Sequence, residues 1–92
     1  MIFPTYDVNF KRGSSEETII VTGEVRNDSN RDYTCALFKI IIYSKHSAIG
    51  SGIIKLHDFK LKTTKSFNVL IDVHSRLIPA IVRYEIVMER GY

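Results

Sequence analysis

Few residues in this chain are of types that do chemistry, and their spacing limits what they can do together. The histidines are His46, His57 and His74, eleven and then seventeen positions apart. A zinc site draws its ligands from close pairs such as H-x3-H or C-x2-C, and the sequence contains neither. His57 and Asp58 are adjacent, which on an extended strand sends their side chains to opposite faces. Ser44, His46 and Asp58 supply the group types of a hydrolytic triad. A triad is defined by geometry, however, and no G-x-S-x-G turn leads into any serine. Cys35 is the only cysteine and has no basic neighbour in sequence to activate it. The expectation is a chain without catalytic residues, metal or cofactor.

The densest basic segment holds Lys55, Lys60, Lys62 and Lys65, with His57 and Phe59 among them and only Asp58 to offset the charge. Such a cluster could contact an anionic partner (nucleic acid, glycan or membrane surface) through counterion release. Lysine on an edge strand also hinders sheet-to-sheet association, and this protective role is the reading preferred here. No aromatic base-stacking platform or glycine-rich phosphate loop accompanies the lysines, which disfavours nucleic acid. Asn27-Asp28-Ser29 fits a glycosylation sequon, but these residue types already explain a turn. Tyr43 is expected in the core or at a corner, its hydroxyl bonded to backbone.

Those residues must be positioned by a single domain spanning 1–92, since the chain has 92 residues and no linker-like or low-complexity stretch. A formal charge of +3 is mildly basic and falls short of the patch or stripe that marks nucleic-acid binders. One cysteine permits no intrachain disulfide. No basic segment followed by roughly 7–15 apolar residues opens the sequence, so no signal peptide is read. No run nears the roughly 18 apolar residues that cross a bilayer. The sequence leaves the compartment open: cell envelope or exterior if this is one domain of a longer protein, otherwise the cytoplasm.

The longest apolar run is Thr34–Ser44, β-branched and aromatic in type, and it predicts a central strand buried on both faces. Phe38, Ile40 and Ile42 share one face; Leu37, Ile41 and Tyr43 populate the other, interrupted by Lys39. Period-two alternation predicts further strands over 5–11, with Tyr6, Val8 and Phe10 inward, and over 18–27, with Ile19, Val21 and Val25 inward. Gly23 falls on that apolar side, where it permits a bulge or the close approach of a bulky neighbour. One or two weaker strands follow over 48–59, loosened at the start by Gly50 and Gly52. Residues 66–74 alternate with Phe67, Val69, Ile71 and Val73 inward and Leu70 as the exception. The last strand spans 80–89. This pattern predicts an all-β, immunoglobulin-like antiparallel β-sandwich of about seven strands.

Two segments resemble the FxLYD-type domains of bacteria and archaea, and related small immunoglobulin-like modules. Val21-Thr22-Gly23-Glu24-Val25-Arg26-Asn27-Asp28-Ser29 is similar to that family's V-x-G-x-V-x-N-x-S opening. Ile40-Ile41-Ile42-Tyr43-Ser44 is similar to the F-x-L-Y-D signature, with Tyr43 retained and Ile40, Ile42 and Ser44 in place of Phe, Leu and Asp. Leu61-Lys62-Thr63-Thr64-Lys65-Ser66-Phe67 resembles the L-x-P-G-x-x-x-F corner without its Pro-Gly. The resemblance runs from about Val21 to Val73. It implies a β-sandwich accessory module, often found in cell-envelope proteins, with no catalytic residues to carry over. The function expected is therefore protein–protein interaction or scaffolding, through loops or an exposed edge strand that accepts a partner strand.

Overall fold

The computed structural model describes residues 2–92. Six strands follow in order: β1 (Thr5–Arg12), β2 (Ile19–Arg26), β3 (Tyr33–Tyr43), β4 (Ala48–Phe59), β5 (Thr64–Ile71) and β6 (Arg83–Gly91). A short 3-10 helix, Ser75–Ala80, carries Pro79 and links β5 to β6. The strands form two antiparallel sheets of three. We name β1-β2-β5 sheet A and β4-β3-β6 sheet B, in their spatial order.

The two sheets face one another over a single core, in which Val21, Ile71 and Phe67 of sheet A meet Phe38, Ile40, Ile42 and Phe59 of sheet B. Alternation produces this directly. In β3, Ala36, Phe38, Ile40 and Ile42 are buried while the residues between them are at least partly exposed. In β5, Phe67, Val69 and Ile71 are buried and Leu70 points out to solvent, 53% exposed. β3 is the middle strand of its sheet, as its composition predicts. Only one of its faces is covered, however: Leu37, Ile41 and Tyr43 lie half-buried on an outer surface with no layer over it.

Other expectations need correction. Six strands are present among the described residues rather than about seven, because residues 48–59 form one unbroken strand. Tyr6 is outward and 47% exposed. The cause is a bulge between Tyr6 and Asn9, where Asp7 adopts φ 53° and shifts the pairing with β2 by one residue. Thr5 and Phe10 then share the inward side with Val8, and Tyr6 moves to the other. Gly23 meets its expectation: a Cβ there would lie 2.8 Å from the Phe67 ring and 3.1 Å from Val8. Gly50 and Gly52 do not loosen β4. A Cβ on Gly52 would come within 2.9 Å of Val69, so these glycines let β4 lie close against β5.

The β4–β5 corner holds two non-glycine residues in the left-handed region, Asp58 at φ 51° and Lys62 at φ 62°. That region costs an L-residue roughly 1–2 kcal/mol relative to glycine. Lys62 is exposed, and its backbone N–H donates to the Asn27 carbonyl at 2.8 Å, a bond glycine retains. Lys62→Gly is expected to stabilise the fold by about 0.5–1 kcal/mol after the unfolded-state entropy is offset, raising Tm by roughly 3–6 °C. Thermal unfolding followed by circular dichroism measures it; a lower Tm would mean the lysine side chain packs usefully on the corner.

Candidate functional site

The group types singled out in the sequence are spread through the fold. Ser44 and His46 lie in the β3–β4 turn, where Ser44 Oγ accepts from the backbone N–H groups of His46 and Ser47, both at 3.4 Å. Asp58 sits at the far end of β4, ten residues along an extended strand and so about 30 Å away. These three groups cannot meet. His57 is exposed on the outer side of sheet B, directly across from Cys35, which is half-buried there rather than enclosed in the core. His74 caps the 3-10 helix, its Nδ1 accepting from the Arg76 N–H at 3.1 Å. Among the described residues, no three His, Cys, Asp or Glu side chains gather as metal ligands would.

The basic segment is divided by the corner. Lys55 faces outward from sheet B opposite Leu37, and Lys60 and Lys62 are exposed in the turn. Lys65 is only partly exposed, on the inward side of β5 opposite buried Val25, where its stem covers the end of the core. The four lysines do not share one face. Tyr43 also differs from expectation. It stands half-buried on the outer face of sheet B, its hydroxyl donating to a carboxylate oxygen of Glu85 at 3.2 Å rather than to backbone. The Arg83 guanidinium lies over its ring at 3.8 Å and pairs with Glu85 at 3.0 Å, an exposed ladder across two strands.

Among the described residues, Asn27 is the one polar side chain fully enclosed, at 0% exposure. Its Nδ2 donates to the carbonyls of Arg31 and Phe59, each at 3.0 Å. Its Oδ1 accepts from the Ser29 N–H at 3.0 Å and from the Ser29 hydroxyl. Its backbone N–H reaches the Thr63 carbonyl at 2.9 Å. The sequon nitrogen is thus committed to tying the 27–32 loop to the β4–β5 corner, and the folded chain leaves no room for a glycan on it. The residue types predict a turn here, and the structure has one; the burial of Asn27 beneath it is not encoded by the local pattern.

The outer face of sheet B is open to solvent. Across it, Lys39 of β3 lies between Ile53 of β4 and Val87 of β6, and Ile41 lies between Ser51 and Glu85. Ile53 is 54% and Val87 56% exposed. A depression of about 290 Å³ beside them is lined by Lys39, Ile41, Ala48, Gly50 and Ser51. Lys55, Arg83 and Arg90 surround this apolar strip, so the face combines exposed aliphatic surface with excess positive charge. The residues define an all-β domain of two facing three-stranded sheets whose outer faces carry no covering layer among the described residues. Comparison with protein families, with curated proteins and with solved structures finds no match to this chain. No helix among the described residues is long and apolar enough to cross a membrane.

Proposed function

We propose that this chain is a non-catalytic, immunoglobulin-like β-sandwich module for protein–protein interaction or scaffolding, of the kind the FxLYD resemblance implies. The strand order supports the immunoglobulin-like reading: β1-β2-β5 and β4-β3-β6 parallel the A-B-E and C′-C-F orders of that architecture. The observation that carries the function is the bare outer face of sheet B. Leu37 and Ile41 lie along its middle strand on either side of Lys39, and Ile53 and Val87, both more than half exposed, flank that lysine. Grouped aliphatic side chains on a rigid central strand lose water contact only when a partner covers them. The surrounding Lys55, Arg83 and Arg90 favour a partner surface that is apolar at its centre and acidic at its rim.

Two measurements test this reading. A partner recovered by cross-linking in a native extract should bind wild type and lose at least about tenfold affinity to Ile53→Asp/Val87→Asp, a substitution of exposed residues that leaves Tm nearly unchanged. Titration with an anionic oligosaccharide or oligonucleotide should show weak binding. A tight, steeply salt-dependent complex abolished by removing Lys55, Lys60, Lys62 and Lys65 would replace the proposal with an anionic-ligand module.

A further inference from the structure

Each sheet has two edges, and three of the four are protected. The edges of β4 and β5 lie against each other beside the corner, with Leu56, Phe59, Phe67 and Val69 buried beneath them. β1 is preceded by Pro4 and broken by the bulge at Asp7, both of which discourage strand addition. The remaining edge is β6, Arg83–Gly91, bonded on one side only, to β3. It carries neither proline nor lysine, and its single irregularity lies near its end, where the pairing with β3 shifts between Leu37 and Phe38.

The packing behind this edge is incomplete. Tyr84, Ile86 and Met88 point inward but stay partly exposed, whereas the β3 residues they pair with, Ile42, Ile40 and Phe38, are 0–1% exposed. A cleft of about 400 Å³, lined by Phe3, Thr5, Tyr84, Glu85, Ile86 and Val87, opens along the same side between β1 and β6. A strand added to β6 would satisfy the edge backbone and cover this seam at once.

We propose that the added strand is β6 of a second copy of this chain, antiparallel, about a two-fold axis through Ile86, so that two B sheets become one of six strands. The register follows from charge and alternation. Antiparallel pairing must set inward residues opposite inward ones. An axis at Glu85 opposes that carboxylate to itself, and an axis at Val87 opposes Glu85 to Glu89, both of them like-charge pairs. An axis at Tyr84 leaves only residues 83–85 overlapped, and an axis at Met88 carries the pairing across the irregularity beside Met88, setting inward Ile86 opposite outward Arg90. An axis at Ile86 pairs Arg83 with Glu89 twice, Tyr84 with Met88, and Glu85 with Val87, with no like charges opposed. Two short strands form a small interface, so the dimer belongs in the micromolar to millimolar range. The pairing is independent of whether the outer face binds a partner, although it would set two such faces side by side.

Sedimentation velocity at concentrations up to about 1 mM tests the proposal, with circular dichroism confirming that each variant is folded. Wild type should self-associate. Arg83→Glu and Glu89→Arg should each weaken the dimer by about tenfold or more, since each turns two attractive pairs into repulsive ones. The double exchange Arg83→Glu/Glu89→Arg should restore it. In a Cys35→Ser background, Ile86→Cys should form an intermolecular disulfide on oxidation, because a residue on the axis faces itself at about 4.5–5.5 Å between Cα atoms. A chain monomeric throughout the range overturns the proposal, as does a dimer indifferent to the single reversals or not rescued by the double one. An edge that captures an unrelated extended peptide while the chain itself stays monomeric overturns the second-copy assignment.

Discussion

Asn27→Ala is expected to lower the stability of the fold by about 3–5 kcal/mol, a large part of the roughly 5–15 kcal/mol typical of a whole domain. The asparagine side chain takes part in four hydrogen bonds at a site with no solvent exposure. Alanine would leave the Phe59 carbonyl and the Ser29 N–H without these partners, each orphaned group costing about 1–3 kcal/mol where water cannot reach it. Asn27→Asp should be comparably damaging, because a carboxylate would confront the Arg31 and Phe59 carbonyls that now accept from Nδ2. Ser29→Ala, which removes one hydroxyl at a partly exposed position, should cost only about 1 kcal/mol. Urea unfolding measures all three; an alanine variant within about 1 kcal/mol of wild type would show that water substitutes for the amide.

Phe38→Ala should cost about 3–5 kcal/mol, the range for deleting a buried aromatic ring. Phe38 is 1% exposed at the middle of β3. Its ring meets Phe3 at 5.3 Å and Phe59 at 6.0 Å between centroids, both nearly edge-on, so the cavity would be walled by rings that cannot all move inward. The adjacent residue supplies the control. Leu37 points to the bare side, half-buried, and Leu37→Ala should cost no more than about 1.5 kcal/mol. The contrast between neighbours, read as a difference in urea midpoint, tests which side of the strand is packed. Equal losses would mean that the outer face is covered in solution.

How much of this was legible beforehand varies by element. Phe38, Ile40 and Ile42 announced their face because β-branched and aromatic residues recur at every second position, and a slip of one residue would expose all three. The same logic failed at Tyr6. A single residue in the left-handed region reverses the parity of everything before it, and the only hint was that aspartate tolerates that region better than most residues. The face of Tyr43 followed from its register with Leu37 and Ile41, but its exposure and its hydroxyl partner did not, because the neighbours that settle them, Arg83 and Glu85, lie about forty positions away. Gly50 and Gly52 read as weak points because their use depends on β5, whose approach no local pattern encodes. The lysines of 55–65 are close in sequence, and the corner at Asp58 and Lys62 parts them. The bare outer face was half-visible: the run was seen to be apolar on both sides, while whether a layer covered the second side depended on topology.

The first few residues hold more than their position suggests. The Ile2 and Pro4 carbonyls accept from Asp28 and Arg26, at 2.9 and 3.0 Å, while the Phe3 ring between them rests on Phe38 and Phe59 of the opposite layer. The domain resembles a book whose spine runs along β4 and β5, and this tripeptide is its clasp. Clipping the chain just after Pro4 would leave the spine intact and free the covers to part, so fraying should begin at the clasp side and reach the spine last.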